Sequence, residues 1–185
     1  MVCTLSVFNG FQSVVAKQFS AFEADLKITA ASGKAITTDA PEIVRVAELP
    51  QVSGHTFSIE GKAMASIGGR QTVVTIKGVD DAFAPLLGID KVLYGSGEFV
   101  LNDGVNDYAV PGGGLIQELN CGILFTTPLE IYAPNRLGAA NLTTPARNFK
   151  KSELHSTGLV FVLNQPKYDY EYVITSDSFA RSLFS

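Results

Sequence analysis

The residue pattern predicts an α+β fold, with helical segments near both ends and a β-rich middle. Three observations carry that expectation. Phe11, Val14, Val15, Phe19 and Phe22 recur at helical spacing and fall in one stripe. Residues 64–67 meet Gly68-Gly69 and return through 71–77, which is a hairpin signal. Ser176 precedes a last helical stretch with Phe179 and Leu183 on one face and Ala180 and Phe184 nearby.

The chain opens on an apolar run, Met1-Val-Cys-Thr-Leu-Ser-Val-Phe8. It is far too short to cross a bilayer, which needs about 20 residues. It also lacks the basic start and small-residue cleavage site of a signal peptide. The expectation is that 1–8 is the outer end of a transmembrane helix. Asn9 is then a candidate cap for the helix at 11–22, whose stripe Gln18 alone interrupts. Burying its five apolar side chains contributes roughly 1.5–3 kcal/mol each, so the helix needs a sheet to lie on. Asp25-Leu-Lys-Ile-Thr29 is the first candidate strand.

After a polar stretch, 41–49 is a short helical candidate with Pro41 in its first turn. His55, Phe57 and Ile59 then alternate with Thr56, Ser58 and Glu60 as a strand would. From Gly78 to Pro134 the texture becomes that of a compact β-rich unit. Short strands are expected at 98–101 and 129–132, and one helix at 114–119. Residues 135–151 lose periodicity and are basic and polar, with Gly138 and Pro145. Loops of that length inside compact domains are commonly functional. Leu159-Val-Phe-Val-Leu163 should be covered on both faces. Tyr168, Tyr170 and Tyr172, alternating with Asp169 and Glu171, predict a half-exposed strand. The apolar terminal helix suggests that the natural protein continues.

Hydrophobic residues make up 46% of the 185, enough for a real core, and no apolar stretch approaches membrane-spanning length. Fourteen basic against eighteen acidic residues give a net charge of −4, with no basic stripe of the kind nucleic-acid binding leaves. Arg147, Lys150 and Lys151 form the densest basic cluster, which reads as a solvated loop. Cys3 and Cys121 make no disulfide framework, and a bridge between them is not expected.

Catalysis has little to work with. His55 and His155 have no Cys or carboxylate partners at metal-ligand spacing, so neither is expected to hold a metal. His55 is expected to be packed or on an edge strand, and His155 on the surface. Tyr94-Gly95-Ser96-Gly97 lacks the spacing of a nucleophile elbow and reads as a turn. Gly112-Gly113-Gly114 opens a helix as phosphate cradles do, but Leu115-Ile116-Gln117 follows in place of a Lys-Ser or Lys-Thr. Close backbone packing explains it better. Asp80-Asp81 suggests a helix start before Phe83 more than a calcium site. No catalytic, cofactor-binding or metal-binding residue is expected.

Leu5-Ser-Val-Phe-Asn-Gly-Phe-Gln12 resembles the end of the first transmembrane helix in permeases of the lipoprotein-releasing type (LolC/LolE-like), in the MacB/FtsX-like branch of ABC transporters. Asp25-Leu-Lys-Ile-Thr29 is similar to the strand that follows there, and Ile76-Lys-Gly-Val-Asp80 to a strand exit. Pro128-Leu-Glu-Ile-Tyr-Ala-Pro134 resembles the strand before an extended loop, and Gly158-Leu-Val-Phe161 the strand after it. The matches run nearly end to end and in order.

The resemblance implies a MacB-like periplasmic core. Residues 9–75 would be the first half of a Porter subdomain of βαβ units, and 76–175 an inserted, mostly β Sabre subdomain. Residues 176–185 would begin a truncated return to Porter. It implies no enzymatic activity and no cofactor, because ATP is hydrolysed by a separate cytosolic ATPase subunit. The implied partners are that subunit, a second permease subunit (the same or different), and a periplasmic lipoprotein carrier. The membrane is contacted through flanking transmembrane helices, and the segment lies on the periplasmic side of the inner membrane. The loop at 135–151 occupies the position of a carrier-recruiting hook. Its expected contact residues are Arg136, Leu137, Leu142, Pro145 and Phe149, apolar anchors with a basic rim. Deleting the loop is expected to leave folding intact. The alternatives are a MacB-like efflux component, an FtsX-like scaffold that activates a periplasmic hydrolase, and an unrelated β-rich binding module.

Overall fold

The computed structural model describes residues 22–30, 36, 38, 40–134 and 149–185. The apolar opening, Cys3, the Asn9 cap and the helix expected at 11–22 lie outside the described residues, apart from Phe22, which is buried. The chain divides into two compact units. One takes the chain up to Phe57 together with Asp81–Val92, and the other Ser58–Asp80 with Leu93–Ser185.

In the first unit, α1 (Pro41–Ala47) begins on proline, whose missing N–H costs nothing at a helix start. Glu42 in its first turn and Arg45 in its last match the helix dipole. Helix α2 (Phe83–Leu87) ends on Gly88 in a left-handed conformation, and a single 3-10 turn, Ile89–Val92, follows. Phe83, Ile89 and Val92 are buried. The strand expected at 25–29 does not form. Those residues have no ladder partner among the described residues, and Leu26 is 74% exposed. Nor is His55 in a strand: it is exposed, with its ring edge-to-face on Phe57 at 5.6 Å.

The second unit is built on β1 (Ser58–Ile67) and β2 (Arg70–Val79). They pair from Ser58↔Val79 to Ile67↔Arg70 across Gly68-Gly69. Both glycines have positive φ, 56° and 81°, as a two-residue turn matched to strand twist requires. The expected hairpin is therefore present, and longer than its apolar core suggested. The remaining strands are β3 (Leu93–Gly95), β4 (Tyr108–Pro111), β5 (Leu129–Pro134), β6 (Phe149–Ser156), β7 (Leu159–Phe161) and β8 (Tyr172–Ser176). Six of them close into a barrel in the order β1-β2-β8-β4-β6-β5, while β3 and β7 form a separate pair. β2 runs unbroken through Thr75 and Ile76, where the resemblance places a subdomain boundary. Its residues are all paired to β1.

Ala63, Ala65, Val74, Ile76, Ile131, Ala133, Leu154 and Val173 supply strand side chains to the core. Helices α3 (Gly113–Leu119) and α5 (Asp177–Phe184) complete it with Leu115, Ile116, Leu119, Phe179, Ala180, Leu183 and Phe184. The alanines on β1 and β5 leave the room that these larger helix side chains fill. α3 reaches the hairpin near its turn, where the Thr72 hydroxyl donates to Glu118 at 2.7 Å. α5 reaches it near its base, where Gly61 faces the Phe184 ring and Gly78 faces Ala180. The apolar face of the terminal helix is thus covered by the barrel. Lys77, only 2% exposed, is answered from the neighbouring strand by Glu60 at 3.2 Å.

In this second unit two further expected strands are absent. Residues 98–101 lead instead into a tight turn, closed by the bridge Asn102↔Asp107 and by Tyr108 N–H donating to Leu101 C=O at 2.9 Å. Tyr168 and Tyr170 lie in helix α4 (Pro166–Glu171), and only Tyr172 begins a strand. Pro166 sets the first turn, and the Tyr168 and Tyr172 rings meet at 5.1 Å.

Candidate functional site

β5 and β6 pair residue for residue from Leu129↔Leu154 to Pro134↔Phe149, so residues 135–148 leave and return at adjacent ends of one paired ribbon. Arg136, Leu137, Leu142 and Pro145 lie outside the described residues. Phe149 is the first residue of β6, directly opposite Pro134 and 48% exposed. Lys150 and Lys151 are strand residues too. Phe149, Lys150 and Lys151, expected in the loop at 135–151, are therefore strand residues, and deletion through Lys151 would cut a barrel strand.

Alternation of side chains places Glu130, Tyr132 and Pro134 beside Phe149, Lys151 and Glu153 on the outer face of this stem. Lys151 Nζ sits 2.7 Å from Glu130 Oε1 and 3.3 Å from Glu153 Oε1. Tyr132 donates its hydroxyl to Glu130 Oε2 at 2.8 Å. The Lys151 and Tyr132 hydrogen bonds hold the Glu130 carboxyl below its ordinary range. The same Glu130 contact, with help from Glu153, raises Lys151, and Glu130 also raises Tyr132. Exposed pairs of this kind contribute little stability. What they do is hold the side chains at the root of the loop in one arrangement.

On the opposite face, Lys150 reaches across to α5. Its Nζ donates to the Ser182 carbonyl in the last turn, where a cation meets the negative end of the helix. Between β6 and α5 lies an open cleft of about 500 Å³, lined by Asn102, Asp107, Ser152, Glu153, Ser178, Phe179 and Ser182. A second cleft, of about 440 Å³, is lined largely by apolar side chains including Ile116, Ile123, Val160 and Tyr170.

The triple glycine is packing, as its lack of a following Lys-Ser suggested. A Cβ on Gly112 would overlap the Asp169 carbonyl, and one on Gly114 would come within 2.6 Å of the Tyr170 ring. Asp169 is buried with its carboxylate turned to the backbone, accepting from Leu163 N–H at 2.7 Å and Gln165 N–H at 3.0 Å. Tyr94 and Gly95 belong to β3, and Gly97 lies against the Thr157 carbonyl. Asp80 and Asp81 precede α2, whose cap position is Ala82. His155 is half-buried within β6, 6.0 Å from the Tyr108 ring, where a surface position was expected. Cys121 is a free thiol whose ionisation burial pushes up, which makes it a poor nucleophile near neutral pH. Among the described residues no group of three or more His, Cys, Asp or Glu is placed to hold a metal ion.

One constellation had no counterpart in the sequence reading. Asp103 Oδ1 accepts from the N–H groups of Val105 and Asn106, and Asp103 Oδ2 from the Tyr108 hydroxyl, all within 2.8 Å. These bonds, the Asn106 N–H first, lower its carboxyl to about 2. Asn102 adds a second cap by accepting from Gly104 N–H at 2.7 Å. The signal was present in Asn102-Asp103-Gly104, since Asn and Asp bond their own backbone two residues on. Its role is to shape a turn, as every Asp103 oxygen is used within it.

No protein family's sequence profile matches this chain, and no curated protein matches it significantly.

Proposed function

We propose that this chain is the extracytoplasmic domain of an ABC transporter permease of the lipoprotein-releasing type. It works as a lever, receiving motion that a cytosolic ATPase generates and passing it to a cargo or carrier. Support comes from the ordered run of resembling segments, from Ser6-Val-Phe-Asn-Gly-Phe11 to Gly158-Leu-Val-Phe161. The observation that carries the reading furthest is the position of the segment 135–148. It is rooted on a fully paired β5–β6 stem, itself two staves of a barrel. Such a base can transmit displacement to the segment joined to it without absorbing it.

In this reading 9–75 is Porter-like, 76–175 is Sabre-like, and 176–185 turns back toward Porter. Arg136, Leu137, Leu142, Pro145 and Phe149 contact a periplasmic lipoprotein carrier, and the chain itself catalyses nothing. A second permease subunit, the same or different, completes the complex in the inner membrane, with this segment on its periplasmic side. In this reading the membrane contact is made by flanking transmembrane helices; among the described residues no helix is long and apolar enough to cross a membrane.

The test is reconstitution of the full-length protein with its ATPase in vesicles that hold a lipidated protein. ATP should drive release of that protein to a soluble carrier. Hydrolysis without release of any lipidated protein would overturn the transport assignment.

A further inference from the structure

The barrel closes between β4 and β6 through only two residue pairs, Tyr108↔His155 and Ala109↔Ser156. β6 begins six positions before the first of them, at Phe149 (155 − 149 = 6). Its other side is paired to β5 along that whole length. Backbone direction follows from alternation along the strand. His155 N–H donates to Asp107 C=O on the β4 side at 2.9 Å. Lys151 and Glu153 share its parity, so their N–H and C=O groups point the same way, while Lys150, Ser152 and Leu154 turn theirs to β5. The register agrees from the far side of the barrel. The two-residue turn makes Ile67↔Arg70 a closing hydrogen-bonded pair, and stepping through β1 and β5 returns the same parity at β6.

Among the described residues, the Lys151 and Glu153 backbone groups therefore lie beyond the last β4 partner. Glu153 borders the cleft whose opposite wall is Ser178, Phe179 and Ser182 of α5. An exposed row of backbone donors and acceptors is a template for another strand.

We propose that this edge binds an extended segment of a partner protein by strand addition to β6 at Lys151 and Glu153. The occupant's chemistry is set by the two sides of the cleft. On the outer face Glu130 and Glu153 stand against a single Lys151, so a basic residue belongs beside Glu153. On the inner face the exposed Ser178 and Ser182 of α5 leave room only for small side chains, Phe179 being buried in the core. The segment thus alternates basic and small residues. This inference stands on the edge itself and holds whatever cargo the protein serves.

The test uses the full chain and a short fluorescein-labelled peptide of alternating Val and Lys, followed by fluorescence anisotropy. Two N-methylated versions carry the methyl groups on the valines or on the lysines, and each blocks one edge of the peptide. The expected result is binding that one version loses by at least about tenfold and the other keeps, since only one edge makes the ladder. Slower amide exchange at Lys151 and Glu153 should accompany it. Glu153→Pro removes a donor aimed at the cleft and no bond to β5, so it should abolish binding while the unfolding midpoint stays near that of the parent. No binding of the parent peptide, or equal binding by both methylated versions, would overturn the proposal. The methylated peptides leave the protein untouched, so a folding defect in the variant cannot mask the answer.

Discussion

Gly78 of β2 lies so close to Ala180 of α5 that a methyl group on the glycine would overlap the alanine Cβ. The Ser176 carbonyl, 3.0 Å from that same position, blocks escape on the other side. At this point the helix is seated on the barrel by the absence of a side chain, as it is at Gly61 against Phe184. Gly78→Ala should therefore cost about 1–3 kcal/mol through overpacking, and Gly78→Val more. Urea unfolding measures it, as a lower midpoint at unchanged slope. An unchanged midpoint would show that α5 is not held against the hairpin.

Ser176 caps α5 by accepting from Phe179 N–H at 3.2 Å, and its hydroxyl also lies 3.2 Å from Asp107 Oδ1. Ser176→Ala should destabilise by about 1 kcal/mol. Ser176→Asp, ordinarily an equivalent cap, should fail to restore the loss because its carboxylate would face Asp107. Thermal unfolding of the two variants side by side checks this, and full stability in the aspartate variant would contradict it.

Asp103 gives stability a dependence on pH. Its carboxyl is lowered to about 2 in the folded chain against an ordinary value of 3.8, so the unfolded state takes up the proton first as pH falls. The contribution is whole above about pH 5 and is lost progressively toward pH 2. Asp103→Asn removes that titration, so its stability should fall less steeply over the same window. Parallel slopes for the variant and the parent would assign acid sensitivity to other groups.

Asp169 ties the turn after β7 to α4 through two backbone N–H groups. Asp169→Ala leaves the buried Leu163 N–H and the half-buried Gln165 N–H without that acceptor and should cost about 2–3 kcal/mol. Hydrogen exchange at Leu163 and Gln165 should speed up in the variant, and unchanged exchange there would show that other acceptors serve them.

What the sequence made legible was local. Gly68-Gly69 between alternating residues announced its hairpin, and Ser176 ahead of Phe179 and Leu183 announced the last helix, because turn and cap chemistry is written within a few residues. The tyrosines misled because Tyr168, Tyr170 and Tyr172 satisfy strand alternation while Tyr168 and Tyr172 also satisfy helical spacing. Pro166 was the arbiter. Residues 25–29 and 98–101 have strand-like composition, but a strand exists only with a neighbour, and no local pattern supplies one. The same holds for the β5–β6 stem. Alternation in Leu129–Pro134 marked the first half, whereas the claim of Phe149, Lys150 and Lys151 on the second depends on register with β5. The open β6 edge was invisible for that reason, since it is a property of where β4 stops.

β8, at residues 172–176, fits between β2 and β4 and pairs with β2 in parallel from Thr75↔Tyr172 onward. A stave from late in the chain must therefore slot into an early one, so the order of synthesis and the order of assembly conflict. The β1–β2 ribbon can zip as soon as it leaves the ribosome, yet its β2 flank stays bare until nearly a hundred further residues have been made (172 − 75 = 97). Non-local closure of this sort is slow, and unprotected flanks invite the wrong neighbour. Versions that stop short of residue 172 should accordingly accumulate as aggregates, however well their hairpin forms.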